Sequence, residues 1–158
     1  MALVAWLAML GVDFLLNGAL FAGIYQGGSP FLLAPMDAFR RIPVGYLAFL
    51  GLALGIVELT HRLGVLRAAA GLRLGLVLGV VVGVVSSLSL YSIATIDPLV
   101  AVVFALVWFA LIAVGSAIAA HGLAQRSLRG LVIRVVAFDV VCIATVVALQ
   151  SFGVVPTA

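Results

Sequence analysis

Five apolar runs, Leu3–Tyr25, Ile42–Leu59, Leu72–Ile93, Pro98–Ala120 and Leu131–Phe152, take up most of this chain and set the terms on which it can fold. Each reaches or approaches the ~20 residues that an α-helix needs to cross ~30 Å of hydrocarbon. A bilayer core offers no water to an exposed amide, so every run must satisfy its own backbone, and only helices and closed barrels do so. No run alternates apolar and polar residues as a barrel strand does. Even Val80-Val81-Val82, strand-like in water, is expected to be helical here. The pattern predicts an all-α fold, an integral membrane bundle of five transmembrane helices, with residues 1–158 forming one domain because the intervening loops are too short to hold a second.

Charge narrows the function classes. Only 8% of residues are charged, against roughly 25% in soluble domains. The net charge of +3 comes from arginine alone, scattered over loops with no dense basic run, which excludes a nucleic-acid-binding surface. Cys142 is the only cysteine, so no disulfide within the chain can form. The first apolar run lacks a basic segment before it and is interrupted by Asp13 and Asn17, so it reads as a retained span and not a cleaved signal.

Short cytoplasmic loops carry the excess of arginine in multi-span proteins. With five spans, Arg62, Arg67, Arg73, Arg126, Arg129 and Arg134 fall on the side of the amino terminus, while Arg40 and Arg41 on the other side are offset by Asp37 and Asp97. The expected setting is the bacterial inner membrane, with the amino terminus cytoplasmic and the carboxyl terminus outside. The longest loop, 26–41, holds Phe31-Leu32-Leu33-Ala34 between prolines, too short to span and too apolar for water, and is read as an interfacial or lid-like segment.

Two acids interrupt the apolar runs at depth. Asp13 lies about 15 Å, and Asp139 about 12 Å, from the same side of the membrane at 1.5 Å per residue. A carboxylate there costs roughly 2.5–3.5 kcal/mol on insertion scales, so such groups face the bundle interior, hold a partner or carry a proton. Asn17, four residues after Asp13, shares its helix face. Asp13, Asn17 and Asp139 are therefore the candidate solute- or proton-binding residues, with Glu58 at the cytoplasmic entrance and Tyr25 and Tyr91 at the outer one. The alternative is that the three serve as polar glue between helices.

The third run carries Gly71, Gly75, Gly79, Gly83 and then Ser87 at four-residue spacing, a stripe that lets another helix approach to backbone distance. Gly51 and Gly55 repeat the pattern in the second run. The expectation is that these two helices are neighbours and that the third is central, though the stripe could equally face a second copy of the chain. Ser86, Ser89, Tyr91 and Ser92 make the outer half of the third run polar, either by bonding back one turn or by lining a cavity.

Glu58 and His61 form half of a carboxylate-bridged metal motif, but a full site needs further glutamates and Glu58 is the only one. His121 ends the fourth run on the same side. No metal site or cofactor is expected, and Glu58 is better placed to pair with Arg62 one turn on. No nucleophile with its base, phosphate loop or zinc-ligand set is present, so an enzyme ranks last.

Five spans in this length resemble the tryptophan-rich sensory protein family, whose repeated tryptophan and proline motifs this chain lacks; Trp6 and Trp108 are its only tryptophans. The string Asp13-Phe-Leu-Leu-Asn-Gly18, closing at Tyr25, resembles the opening of small uncharacterised multi-span bacterial inner-membrane proteins, a resemblance confined to the first span that implies no activity. The leading expectation is a protein that binds or translocates a proton or a small polar or cationic solute through an intramembrane carboxylate site. The runner-up is a non-catalytic subunit that packs, as a homo-oligomer or within a larger membrane complex, through its small-residue faces. The lipid bilayer is its partner in either case.

Overall fold

A computed structural model describes residues 1–25 and 35–156, and among them no strand occurs. The elements are α1 (Ala2–Leu15), a π-helical turn (Leu16–Leu20) that continues it, α2 (Ala22–Tyr25), α3 (Pro35–Arg62), α4 (Ala68–Ile93), α5 (Pro98–Leu123) and α6 (Arg129–Ser151). Five helices are long and apolar enough to span a bilayer, in agreement with the five runs. The loop expected over 26–41 is shorter than its sequence suggests, because α3 already begins at Pro35, where a missing N–H costs nothing in the first turn, with Asp37 near the positive end of the helix dipole. The lid-like segment 26–34 lies outside the described residues.

Local chemistry ends the helices where they end. At the start of α5, Asp97 accepts the Leu99 N–H at 2.7 Å and Pro98 takes the first helical position. At the end of α3, Gly64 adopts φ +63° while its N–H reaches His61 O and the Val65 N–H reaches Thr60 O, the paired bonds of a Schellman close.

The most intimate contact is between α4 and α5, which run antiparallel. A β-carbon built on Gly75 would meet Ala113 Cα and Ile112 O at 2.7 Å, and one on Gly79 would meet Phe109 Cα at 2.9 Å; Gly71 and Gly83 are as tightly covered. All four glycines and Ser87 are buried. Lipid gives no hydrophobic drive for helices to associate, so this fit of backbone on backbone, with its dispersion contacts, is what holds the pair.

Two expectations about neighbours are corrected. The central helix is α5, which packs on α1, α3 and α4 and has half of its span buried, against 22% for α4. One line of glycines makes room for one helix, whereas α5 presents small residues on several sides: Ala101, Ala113, Gly115, Ser116, Ala119 and Ala120 are all buried. Nor does α3 pack along α4: its neighbours are α1 and α5. Its inward line is Ala53, Ile56 and Thr60, so Gly51 and Gly55 point elsewhere, with nothing within 4 Å of a β-carbon at either. Two specific ties fix α3: the Trp6 indole N–H donates to Tyr46 O at 2.9 Å, and Phe49 meets Trp108 edge to face with centroids 5.8 Å apart.

The remaining interface joins α1 and α6, which run parallel. Gly11 lies against Phe138 and Asp139, and Gly18 against Val146. On α1 the seam reads Val4, Ala8, Gly11, Gly18, and on α6 Leu131, Val135, Cys142, Val146, the alternating three- and four-residue steps of helices crossing at a shallow angle. Contacts of Gly71 with Ala120 and of Gly122 with Met1 and Leu131 gather the starts of α1, α4 and α6 and the end of α5 at one end of the bundle, together with Arg67, Arg73, Arg126, Arg129 and Arg134.

Candidate functional site

The first span carries a polar ladder. Asn17 Nδ2 donates to Asp13 Oδ1 at 2.8 Å, and the Tyr25 hydroxyl donates to Asn17 Oδ1 at 3.0 Å. The first bond follows from the four-residue spacing on a helix. The second does not, because position i+8 on a regular α-helix lies ~80° round from i.

The π-helical turn between them supplies the difference. Its bonds run five residues back, as from the Phe21 N–H to Leu16 O at 2.7 Å, so each turn holds an extra residue and the chain lags behind the α progression. Tyr25 is thereby returned toward the face of Asn17. Such a turn loosens the backbone ladder, and a side chain on α6 reaches it there: Gln150 Nε2 donates to Gly18 O at 3.4 Å. At Phe21, φ −107° and ψ 3° end the span.

Both donors in the ladder point toward Asp13, leaving its second oxygen free of any hydrogen bond among the described residues. Toward the arginine-rich end, the same face of α1 continues with Met9 and Ala5, both wholly buried and apolar. The ladder is thus a polar strip that stops at Asp13. The only ion pair among the described residues is Arg62–Glu58, so Asp13 has no arginine or histidine to balance it.

Asp139 does not join this strip. Its carboxylate lies on the bare backbone of Gly11, and its Oδ1 is buried without a hydrogen-bond partner. Gly11 and Asp13 are two residues apart on α1 and so face opposite sides of it. The two acids share a depth, but α1 stands between them.

The other candidates are dispersed. Glu58 is exposed and bonded to Arg62 at 2.6 Å, at the far end of α3 from Tyr46. Tyr91 is exposed on α4, which does not pack against α1. In the serine-rich half of α4, Ser92 bonds back to Ser89 O at 2.7 Å, while Ser87 is buried in the α5 seam with its hydroxyl unpartnered, as is Ser116 opposite the glycines. His121 is paired with Gln125 in the loop that follows α5, and no three metal-ligating side chains converge among the described residues.

Several residues that shape the site were not singled out by sequence. Gly11 and Gly18 hold α6 close, Gln150 serves the π-turn, and Trp6 ties α1 to α3. The seven-residue spacing of Gly11 and Gly18, continuing Val4 and Ala8, was the available signal; nothing in composition marks the π-turn. Comparisons of the chain with protein-family models, with curated proteins and with solved structures return no match.

Proposed function

We propose that this multi-pass membrane protein binds a proton or a small cation at Asp13, in a site built by Asn17 and Tyr25. The observation that carries the reading is the Asp13–Asn17–Tyr25 ladder at mid-span, in which Asn17 donates to the carboxylate and Tyr25 to Asn17, with no cationic side chain paired with Asp13 among the described residues. A carboxylate in so poor a solvent takes up a proton or holds a cation in place of the missing arginine. The apolar face beyond Asp13, formed by Met9 and Ala5, supports binding from one side over passage straight through. The distribution of arginine supports an amino terminus in the cytoplasm, and in that orientation the ladder opens toward the outer leaflet of a bacterial inner membrane.

An infrared pH titration of the purified protein tests this, with Asp13→Asn and Asp139→Asn beside the native chain. Of the carboxyl carbonyl bands that appear and bleach with pH, one should be missing from Asp13→Asn and kept in Asp139→Asn, and sodium or tetramethylammonium at fixed pH should diminish that band if cations compete. A pH-dependent carboxyl spectrum unchanged by Asp13→Asn removes the site.

A second reading, an accessory subunit, is favoured by α3. Its span is only 11% buried, and the open line of Gly51 and Gly55 leaves room for the backbone of another chain's helix. Purification in mild detergent should then bring down a partner in fixed ratio; a lone homogeneous particle argues against it.

A further inference from the structure

Near the arginine-rich end, a cleft of about 360 Å³ opens between α1, α5 and α6. Its volume falls within the ~300–1,000 Å³ usual for small-ligand sites. Ala8 lines it from α1, Val114 from α5, and Val135 and Phe138 from α6; His121 and Arg134 are the polar residues of a lining that is otherwise apolar.

The chemistry is graded along the membrane normal. His121 is two residues from the end of α5 and Arg134 five from the start of α6, so both lie near the helix ends. Val114 and Phe138 sit about 10 Å and 6 Å deeper at 1.5 Å per residue. The cleft itself is lined almost wholly by apolar atoms, and the charge stands at its shallow mouth, where the Arg134 guanidinium turns back toward Gly130. Arg134 is exposed, and its Nε bonds to Gly130 O at 3.2 Å, which leaves the outer face of the guanidinium without an acid among the described residues. Asp139, the nearest acid on α6, is turned onto Gly11 and is not part of the lining. Arg129 and Arg126 add charge at the same helix ends.

An upright anionic amphiphile matches this gradient: phosphate on a guanidinium that can grip two of its oxygens, hydrocarbon along the apolar walls. Basic recesses between spans on the arginine-rich face are where anionic headgroups settle. We infer that the cleft between α1, α5 and α6 binds one acyl chain of an anionic phospholipid, with the lipid phosphate held by Arg134 beside His121. The site is separate from the Asp13 ladder, which faces the opposite side of α1, and does not depend on it.

Native mass spectrometry of the detergent-purified protein with added phosphatidylglycerol or phosphatidylcholine is the test. One phosphatidylglycerol should be retained over phosphatidylcholine by about fivefold, the electrostatic worth of one arginine near an anionic surface. Arg134→Gln, at an exposed position, should level the two lipids without altering the helical circular dichroism. Val114→Trp should fill the cleft and lower retention of both. Equal retention of the two lipids by the native chain overturns the inference, as does a preference that survives Arg134→Gln. Displacement of phosphatidylglycerol by inorganic phosphate alone would show an anion contact without a chain in the cleft and overturns it too, as would a dimer that Val114→Trp dissolves.

Discussion

Gly75→Ala should destabilise this protein while Gly51→Ala should not, although both add one methyl to a glycine in the middle of an apolar helix. At Gly75 the new carbon would stand 2.7 Å from Ala113 Cα and Ile112 O, both backbone atoms of α5 that cannot rotate aside. Ordinary contact begins at 3.4 Å, so the two helices must part by about 0.7 Å at that level. A gap of that size forfeits a quarter to a half of each contact's dispersion energy, and the loss extends to Gly71 and Gly79 one turn either side. Overpacking of this kind costs ~1–3 kcal/mol. Against it stands the helix propensity gained by replacing glycine, up to ~1 kcal/mol. That gain is common to Gly51→Ala, where nothing lies within 4 Å, so the difference between the two variants isolates the packing term. Unfolding in mixed micelles, followed by circular dichroism across a titration of denaturing detergent, should put Gly75→Ala below Gly51→Ala by ~1–3 kcal/mol. Equal unfolding free energies would refute the claim that backbone proximity holds α4 to α5.

Gly11→Ala would put a methyl onto the Asp139 carboxylate; it should cost ~1–3 kcal/mol, and Asp139→Ala in the same chain should recover part of that. Strict additivity of the two in a double-mutant cycle would mean that the contact is not made. Trp6→Phe removes the N–H that reaches Tyr46 O and should weaken the fold by ~0.6 kcal/mol, with ~1.7 as a ceiling for polar bonds in membranes; unchanged unfolding would show that the bond contributes nothing to holding α3.

Hydrophobic run length was enough to place all five spans, because a bilayer allows a long apolar segment little but a helix. The start of α5 was legible for a local reason, Asp97 before Pro98. Neighbour relations were legible only in part. The glycine line of α4 announces that one partner comes close, and it does, but a stripe on one helix holds no record of which helix answers it. Matching it to Gly51 and Gly55 rested on likeness of pattern, whereas the actual partner, α5, offers Ala105, Phe109, Ala113, Ser116 and Ala120, a line hidden among other small residues. The Asp13–Asn17 bond followed from spacing alone. The Tyr25 bond rests on a π-turn, for which this sequence gives no local cue.

Asp13 and Asp139 lie at nearly equal depth, as two acids that meet must, but depth is the lesser half of the geometry. A helix position has a height and an angle, and only the height can be counted off from the end of a run. The angle of Asp139 is fixed by Leu131, Val135, Cys142 and Val146, which seat α6 in the seam of Val4, Ala8, Gly11 and Gly18. Asp139 then falls on Gly11, and whatever falls on Gly11 is on the far side of α1 from Asp13. To bring the acids together α1 would have to turn through about half a revolution, carrying Met9 and Ala5 out of the core with Ile56, Leu111 and Ile112 and into a seam that accepts only small residues. Packing of the bundle therefore decides the electrostatics of the span: it keeps two acids of one depth apart and, among the described residues, leaves Asp13 hydrogen-bonded to Asn17 and through it to Tyr25.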